Sequence, residues 1–137
     1  MDVGVTDKII IASEINELPI IREFIVSHIA DAKLNEKERA NVEFSVIEAV
    51  MNAIVHGNEY DRGKKIEVTY SGYPDRIEIK VKDSGAGFDP SKLPDPREPE
   101  SLKAPSGRGV FFMRQMMSKV EFEFSPEGAT VILTKML

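Results

Sequence analysis

A carboxylate and an amide stand four residues apart in the segment NVEFSVIEAVMNAIVHGN (residues 41–58): Glu48 and Asn52. On a helix such a pair converges on one volume. An amide oxygen is a hard donor suited to Mg²⁺, which takes oxygen ligands and keeps several waters. A neighbouring carboxylate can accept a proton from water or from a hydroxyl. Together they supply what chemistry on a nucleoside triphosphate needs. At roughly 100° per residue, Asn41, Ser45, Glu48, Asn52 and His56 share an arc of roughly 80°, and Phe44, Val46, Ile47, Val50, Met51, Ala53, Ile54 and Val55 fill the rest. Two readings of the stripe stand: the solvated face of an amphipathic helix, or polar groups kept for a ligand. The first turn has the long charged residues of a solvated face (Glu36, Lys37, Glu38, Arg39), whereas the later turns have short polar groups and one carboxylate.

Two glycine segments follow. DSGAGF (Asp83 to Phe88) ends an alternating run. Glycines two apart let the backbone turn sharply and approach a flat ligand, and Asp83 could accept a hydrogen bond from an exocyclic amine such as that of adenine. An ordinary Asp-Ser-Gly turn would read the same way. SGRGV (Ser106 to Val110) opens a helix. Backbone amides at a helix start suit phosphate oxygens, and Arg108 adds a cation; a hinge would look alike. There is no G-x-x-x-x-G-K-[ST] and no G-x-G-x-x-G after the first strand, so neither a P-loop nor a dinucleotide fold is indicated.

The elements that must position these residues run β-α-α-β-β-loop-α-β-β. KIIIAS (Lys8 to Ser13) predicts a strand. Asn16 is the expected cap of a helix to about Ala32, with Pro19 tolerated in its first turn. Asn35 and Glu38 form a capping-box pattern for the next helix, and Gly57 is its natural stop. KIEVTYSG (Lys65 to Gly72) and RIEIKVKD (Arg76 to Asp83) alternate as strands around Tyr73-Pro74-Asp75. The stretch Asp89 to Ser106 holds five of the eight prolines, and a connection that long without structure of its own is typically functional or disordered. GVFFMRQMMSK (Gly109 to Lys119) predicts a helix, and VEFEF (Val120 to Phe124) with ATVILTKML (Ala129 to Leu137) a closing hairpin. Strands paired in hairpins among helices predict an α+β fold, a two-layer sandwich with a mixed, mostly antiparallel sheet and helices on one face.

The chain has 137 residues, 42% hydrophobic, which suits one domain spanning 1–137. A formal charge of -5 with scattered lysines and arginines argues against a nucleic-acid partner. No cysteine is present, which excludes disulfides and thiolate metal sites and fits an intracellular, cytoplasmic protein. No 18-residue apolar run or signal-peptide pattern is found, so no membrane association is expected. His28 is expected to be a satisfied or exposed histidine, and Met113, Met116 and Met117 core filler.

Taken together and in order, these segments resemble the GHKL ATPase superfamily with its Bergerat nucleotide-binding fold. EAVMNA (Glu48 to Ala53) looks like its N box, DSGAGF its first glycine box, GRGV (Gly107 to Val110) its second, and Gly128-Ala129-Thr130 its last, threonine-bearing element. EAVMNAIVHG is most similar to the small anti-sigma-factor serine/threonine kinases. The resemblance implies ATP and Mg²⁺ as cofactors. It implies that Asn52 coordinates the metal, Asp83 binds the adenine amine, and Gly85 and Gly87 let the backbone pack near the base. Gly107 and Gly109, with Arg108, would hold phosphates, Thr130 would join a water-linked adenine contact, and Glu48 would be the catalytic base. Residues of about 89–106 would form an ATP lid. Val110 stands where leucine or isoleucine is commoner, and Ala129 separates Gly128 from Thr130 where the family often has them adjacent. The implied activity is phosphorylation of a serine on an anti-anti-sigma (STAS-type) antagonist by a homodimer that also sequesters a sigma factor. The alternative is a nucleotide-binding partner-switch module without kinase activity. A detached histidine-kinase catalytic domain would need a phosphoacceptor histidine, for which His28 and His56 are poor candidates.

Overall fold

The computed structural model describes residues 5–85 and 105–137, and side chains for all of these but 105–108. Strand β1 (Thr6–Ala12) leads through a 3-10 turn (Ile15–Glu17) into helix α1 (Leu18–Ile29). Helix α2 (Glu36–Asn52) runs on into a π-helical turn (Ala53–Gly57). Strands β2 (Lys65–Gly72) and β3 (Arg76–Lys82) form a hairpin, helix α3 (Pro105–Met116) follows, and β4 (Lys119–Ser125) and β5 (Gly128–Met136) close the chain. The sheet order is β1-β2-β3-β5-β4. Every ladder among these strands is antiparallel, so the mixed sheet expected from sequence is antiparallel throughout the described residues.

Strand alternation decides what is buried. Ile66, Val68 and Tyr70 of β2 and Ile77, Ile79 and Val81 of β3 point to one face, and all are buried. Helix α1 lays Ile21, Ile25 and Ile29, four residues apart, on that face, and α2 adds Val42, Val46, Ala49 and Val50. Each such aliphatic side chain stabilises the fold by roughly 1.5–3 kcal/mol on burial. The opposite face carries polar pairs such as Lys8–Glu67, 3.1 Å apart, which gives the two-layer arrangement. Met113 and Met117 are core residues, as expected, whereas Met116 is only half-buried and stands outside the core cluster. His28 is satisfied: its Nε2 lies 3.0 Å from Asp7 Oδ2 and its ring stacks on Tyr70.

Most boundaries fall within two residues of the sequence expectation, and the larger departures are at α1 and α3. Asn16 does not cap α1; it lies inside the 3-10 turn, and α1 starts with Pro19 in its first turn, where proline's missing N–H costs nothing. Helix α1 ends at Ile29 rather than Ala32, and Arg39 of α2 satisfies the end by donating to the carbonyls of Ile29 and Ala32. Helix α3 begins at Pro105, not Gly109, and ends at Met116, not Lys119, which opens β4. No helix among the described residues is long and apolar enough to cross a membrane.

Candidate functional site

Helix α2 is set by its N-terminus. Asn35 Oδ1 accepts from Glu38 N at 2.8 Å, and Glu38 Oε1 accepts from Asn35 N at 3.0 Å, completing the capping box. Three turns on, the polar stripe turns inward: Ser45 is 0% and Asn52 5% exposed, and Glu48 is half-buried. His56, at the end of the stripe, is exposed. The solvated-face alternative therefore fails for Ser45, Glu48 and Asn52. Among the described residues, Ser45 Oγ and Asn52 Nδ2 are buried without a hydrogen-bond partner. A buried orphan of that kind costs about 1–3 kcal/mol unless something completes it. Burial holds the Glu48 carboxyl above its ordinary pKa, which makes it a stronger base near neutral pH.

The first turn of α3 comes against this pair. A β-carbon built on Gly109 would lie 2.6 Å from Glu48 Oε2 and 3.9 Å from Asn52 Nδ2. Glycine here is thus a clearance for the carboxylate. In a helix starting at Pro105, which has no N–H of its own, the helical amides without an intrahelical acceptor belong to Ser106 and Gly107. Gly107 is one of these free amides, while Gly109 lies beyond them.

Asp83 lies where β3 ends, 3% exposed. Its Oδ1 accepts from Gly85 N at 3.0 Å and from Ala129 N at 3.2 Å. These bonds, and Lys64, favour the charged form; burial outweighs them and pushes the carboxyl up. Three glycines make room for it. A β-carbon at Gly57 would meet Asp83 Oδ2 at 2.2 Å, one at Gly85 would meet Gly57 O at 1.6 Å, and Gly128, at φ +147°, would bring one to 1.9 Å from Asp83 O. The π-turn is what delivers Gly57 here: Asn58 N donates to Ala53 O at 2.8 Å, and this wider turn is a frequent mark of functional sites.

Thr130 does not join this cluster. It pairs with Lys82, and strand alternation turns its side chain to the sheet face away from α2; Ala129 is the residue whose backbone holds Asp83. The water-linked adenine contact expected of Thr130 therefore has no support. Gly87 and most of the expected lid, residues 89–104, lie outside the described residues, as does the Arg108 side chain. Sequence reasoning missed Gly57 and Asn58, although a Gly-Asn pair directly after a polar helical stripe is a turn signal. A separate cavity of about 500 Å³ opens at the other end of the sheet, lined by His28, Tyr70, Tyr73 and Ile77 among others; it shares none of the site residues. No group of three or more His, Asp or Glu side chains among the described residues could hold a metal ion alone. An isolated amide donor beside a carboxylate does fit a magnesium ion that takes its other oxygens from phosphates and water.

A five-stranded antiparallel sheet covered by helices on one face, with a buried carboxylate at a strand end and a glutamate–asparagine pair facing a helix start, defines a nucleotide-binding domain of the GHKL type. The chain belongs to the histidine kinase-like ATPase domain family, whose profile matches residues 11–135. The anti-sigma F factor of Clostridium perfringens is 32% identical over 118 residues, covering 83% of each chain. The serine-protein kinase RsbW of Listeria monocytogenes is 28% identical over 101 residues, 69% of this chain and 64% of that one. In the crystal structure of the RsbU and RsbW domains of a Mycobacterium tuberculosis protein, the likeness reaches a TM-score of 0.69 at 18% identity. It covers 97% of this chain and 33% of that one, and it supports the fold alone. These findings place the chain among the GHKL-type serine kinases and anti-sigma factors, as its motifs imply.

Proposed function

We propose that this protein is an ATP-dependent serine kinase acting in the cytoplasm as the switch between an anti-anti-sigma antagonist of the STAS type and a sigma factor. Asp83 accepts from the adenine amine, and the amides of Ser106 and Gly107 face the phosphates. Asn52 offers its amide oxygen to Mg²⁺, which when bound neutralises phosphate charge and orients the γ-phosphoryl group. Glu48 takes the proton from the substrate serine hydroxyl as its oxygen bonds to the γ-phosphorus. The bond to the β-γ bridging oxygen breaks, leaving ADP and phosphoserine. Charge neutralisation and positioning make up most of such catalysis, and the residues above cover both. A homodimer is part of the proposal on family grounds.

The observation that carries this reading is the half-buried Glu48 held between Asn52 and Gly109. A pure nucleotide binder needs Asn52 and Asp83 but not that carboxylate. The test is transfer of labelled γ-phosphate from ATP to STAS-type proteins of the same organism. Wild type is expected to label one serine, and Glu48→Gln to bind ATP normally with transfer lowered about 10²–10⁴-fold. ATP binding with no transfer by wild type would favour the partner-switch module without catalysis.

A further inference from the structure

We infer that Asn58 is a positioning residue for base recognition, acting through the loop that carries Asp83. This rests on the assignment of Asp83 to the adenine amine and adds the device that fixes its position.

Asn58 is 1% exposed, and its amide is fully engaged. Oδ1 accepts from Ser84 N at 2.9 Å. Nδ2 donates to Ser13 Oγ at 2.8 Å and to Lys65 O at 3.1 Å. The orientation of the amide follows from its partners. Ser84 N can only donate and Lys65 O can only accept; Ser13 Oγ already gives its proton to Lys64 O, 2.6 Å away, so toward Asn58 it accepts. One side chain therefore clamps three places distant in sequence: the exit of β1, the entry of β2, and the peptide after Asp83. Ser84 is exposed and Gly85 makes its own bond back to Asp83 Oδ1. Gly85 also rests on the Gly57–Asn58 peptide, where a β-carbon would lie 1.6 Å from Gly57 O and 3.1 Å from Asn58 N. The turn Asp83-Ser84-Gly85 is thus held from below by Asn58 and from the side by Ala129. Of Asp83's two oxygens, Oδ1 takes both backbone bonds, and among the described residues no hydrogen bond reaches Oδ2. Oδ2 is the atom left for a ligand amine, and its direction is set by how firmly Ser84 and Gly85 are held.

Loss of the clamp should therefore cost base discrimination specifically. A polar contact to the base discriminates only when its geometry is fixed, whereas phosphate binding, spread over several amides and the metal, tolerates small shifts. The experiment is calorimetric titration of full-length wild type, Asn58→Ala and Ser13→Ala with Mg²⁺·ATP and with Mg²⁺·ITP, in which a carbonyl replaces the exocyclic amine. Wild type should prefer ATP by at least about 10-fold. In Asn58→Ala the ratio should collapse to within about 2-fold through weaker ATP binding, with ITP affinity unchanged. Ser13→Ala, which leaves Nδ2 a single acceptor and touches no nucleotide, should lose part of the ratio. If Asn58→Ala does not melt cooperatively, Ser13→Ala decides. Equal weakening for both nucleotides, or an unchanged ratio in the folded variants, overturns the role of Asn58. A wild type that does not distinguish ATP from ITP overturns the assignment of Asp83 beneath it.

Discussion

Gly109 and Glu48 exclude each other's growth: the first carbon of any side chain at position 109 would lie 2.6 Å from Glu48 Oε2. The obstructing atom is the end of a flexible side chain, so the fold can yield where the site cannot. Gly109→Ala should keep the structure and gain roughly 0.5–1 kcal/mol of helix propensity in α3. The displaced carboxylate should lower phosphoryl transfer about 10–100-fold. Thermal melts alongside transfer assays check this; a destabilised variant with full activity would contradict it.

Glu48 also predicts a pH profile. Its carboxyl is held above the ordinary range by burial, and as a base it must be ionised. Activity should then fall with decreasing pH through a midpoint above the usual glutamate value of about 4.3. Glu48→Gln should remove that limb along with most of the rate. A rate that stays flat down to pH 4.5 in a folded wild type would exclude Glu48 as the base.

Asp83 carries function at the expense of stability. Its folded-state pKa is raised, so the folded state binds the proton more tightly than the unfolded state. The favourable contribution is therefore present at low pH and lost as pH rises through the raised pKa. Asp83→Asn keeps an acceptor oxygen for Gly85 and Ala129 and has no charge to bury. Its melting temperature at pH 7.5 should equal or exceed that of wild type by a few degrees (about 2–5 °C). The gap should narrow at pH 4.5. A variant less stable than wild type at pH 7.5 would reverse the sign.

Arg39 is predicted to matter for folding and not for the site. It donates to two carbonyls at the end of α1 from within α2, tying the two helices. Arg39→Ala should cost about 1–2 kcal/mol in urea unfolding while leaving nucleotide affinity unchanged. A large loss of affinity without loss of stability would place Arg39 in the binding machinery.

Much of this was legible in the chain because local rules were strong. The period-two runs at 65–72 and 76–83 gave β2 and, to within one residue, β3, and Asn35 with Glu38 gave the cap of α2. The polar stripe of that helix was readable, but its residues alone left a solvated face and a ligand-facing one both open. What escaped the sequence depends on distant contacts. The π-turn at Ala53–Gly57 brings Gly57 against Asp83, and no window around residue 57 contains residue 83. Asn58 drew no notice in the sequence, since its partners Ser13 and Ser84 lie 45 and 26 positions away. Thr130 was expected at the base because the motif pattern counts residues, whereas strand pairing decides faces, and the pairing with Lys82 turns it outward.

The most direct measurement is titration of ATP, with and without Mg²⁺, into wild type, Asp83→Asn and Asn52→Ala. Wild type should bind and need Mg²⁺ for full affinity. Folded Asp83→Asn should not bind, and Asn52→Ala should lose the Mg²⁺ dependence. ATP binding of wild-type strength and Mg²⁺ response in both variants would show that the nucleotide does not use this site.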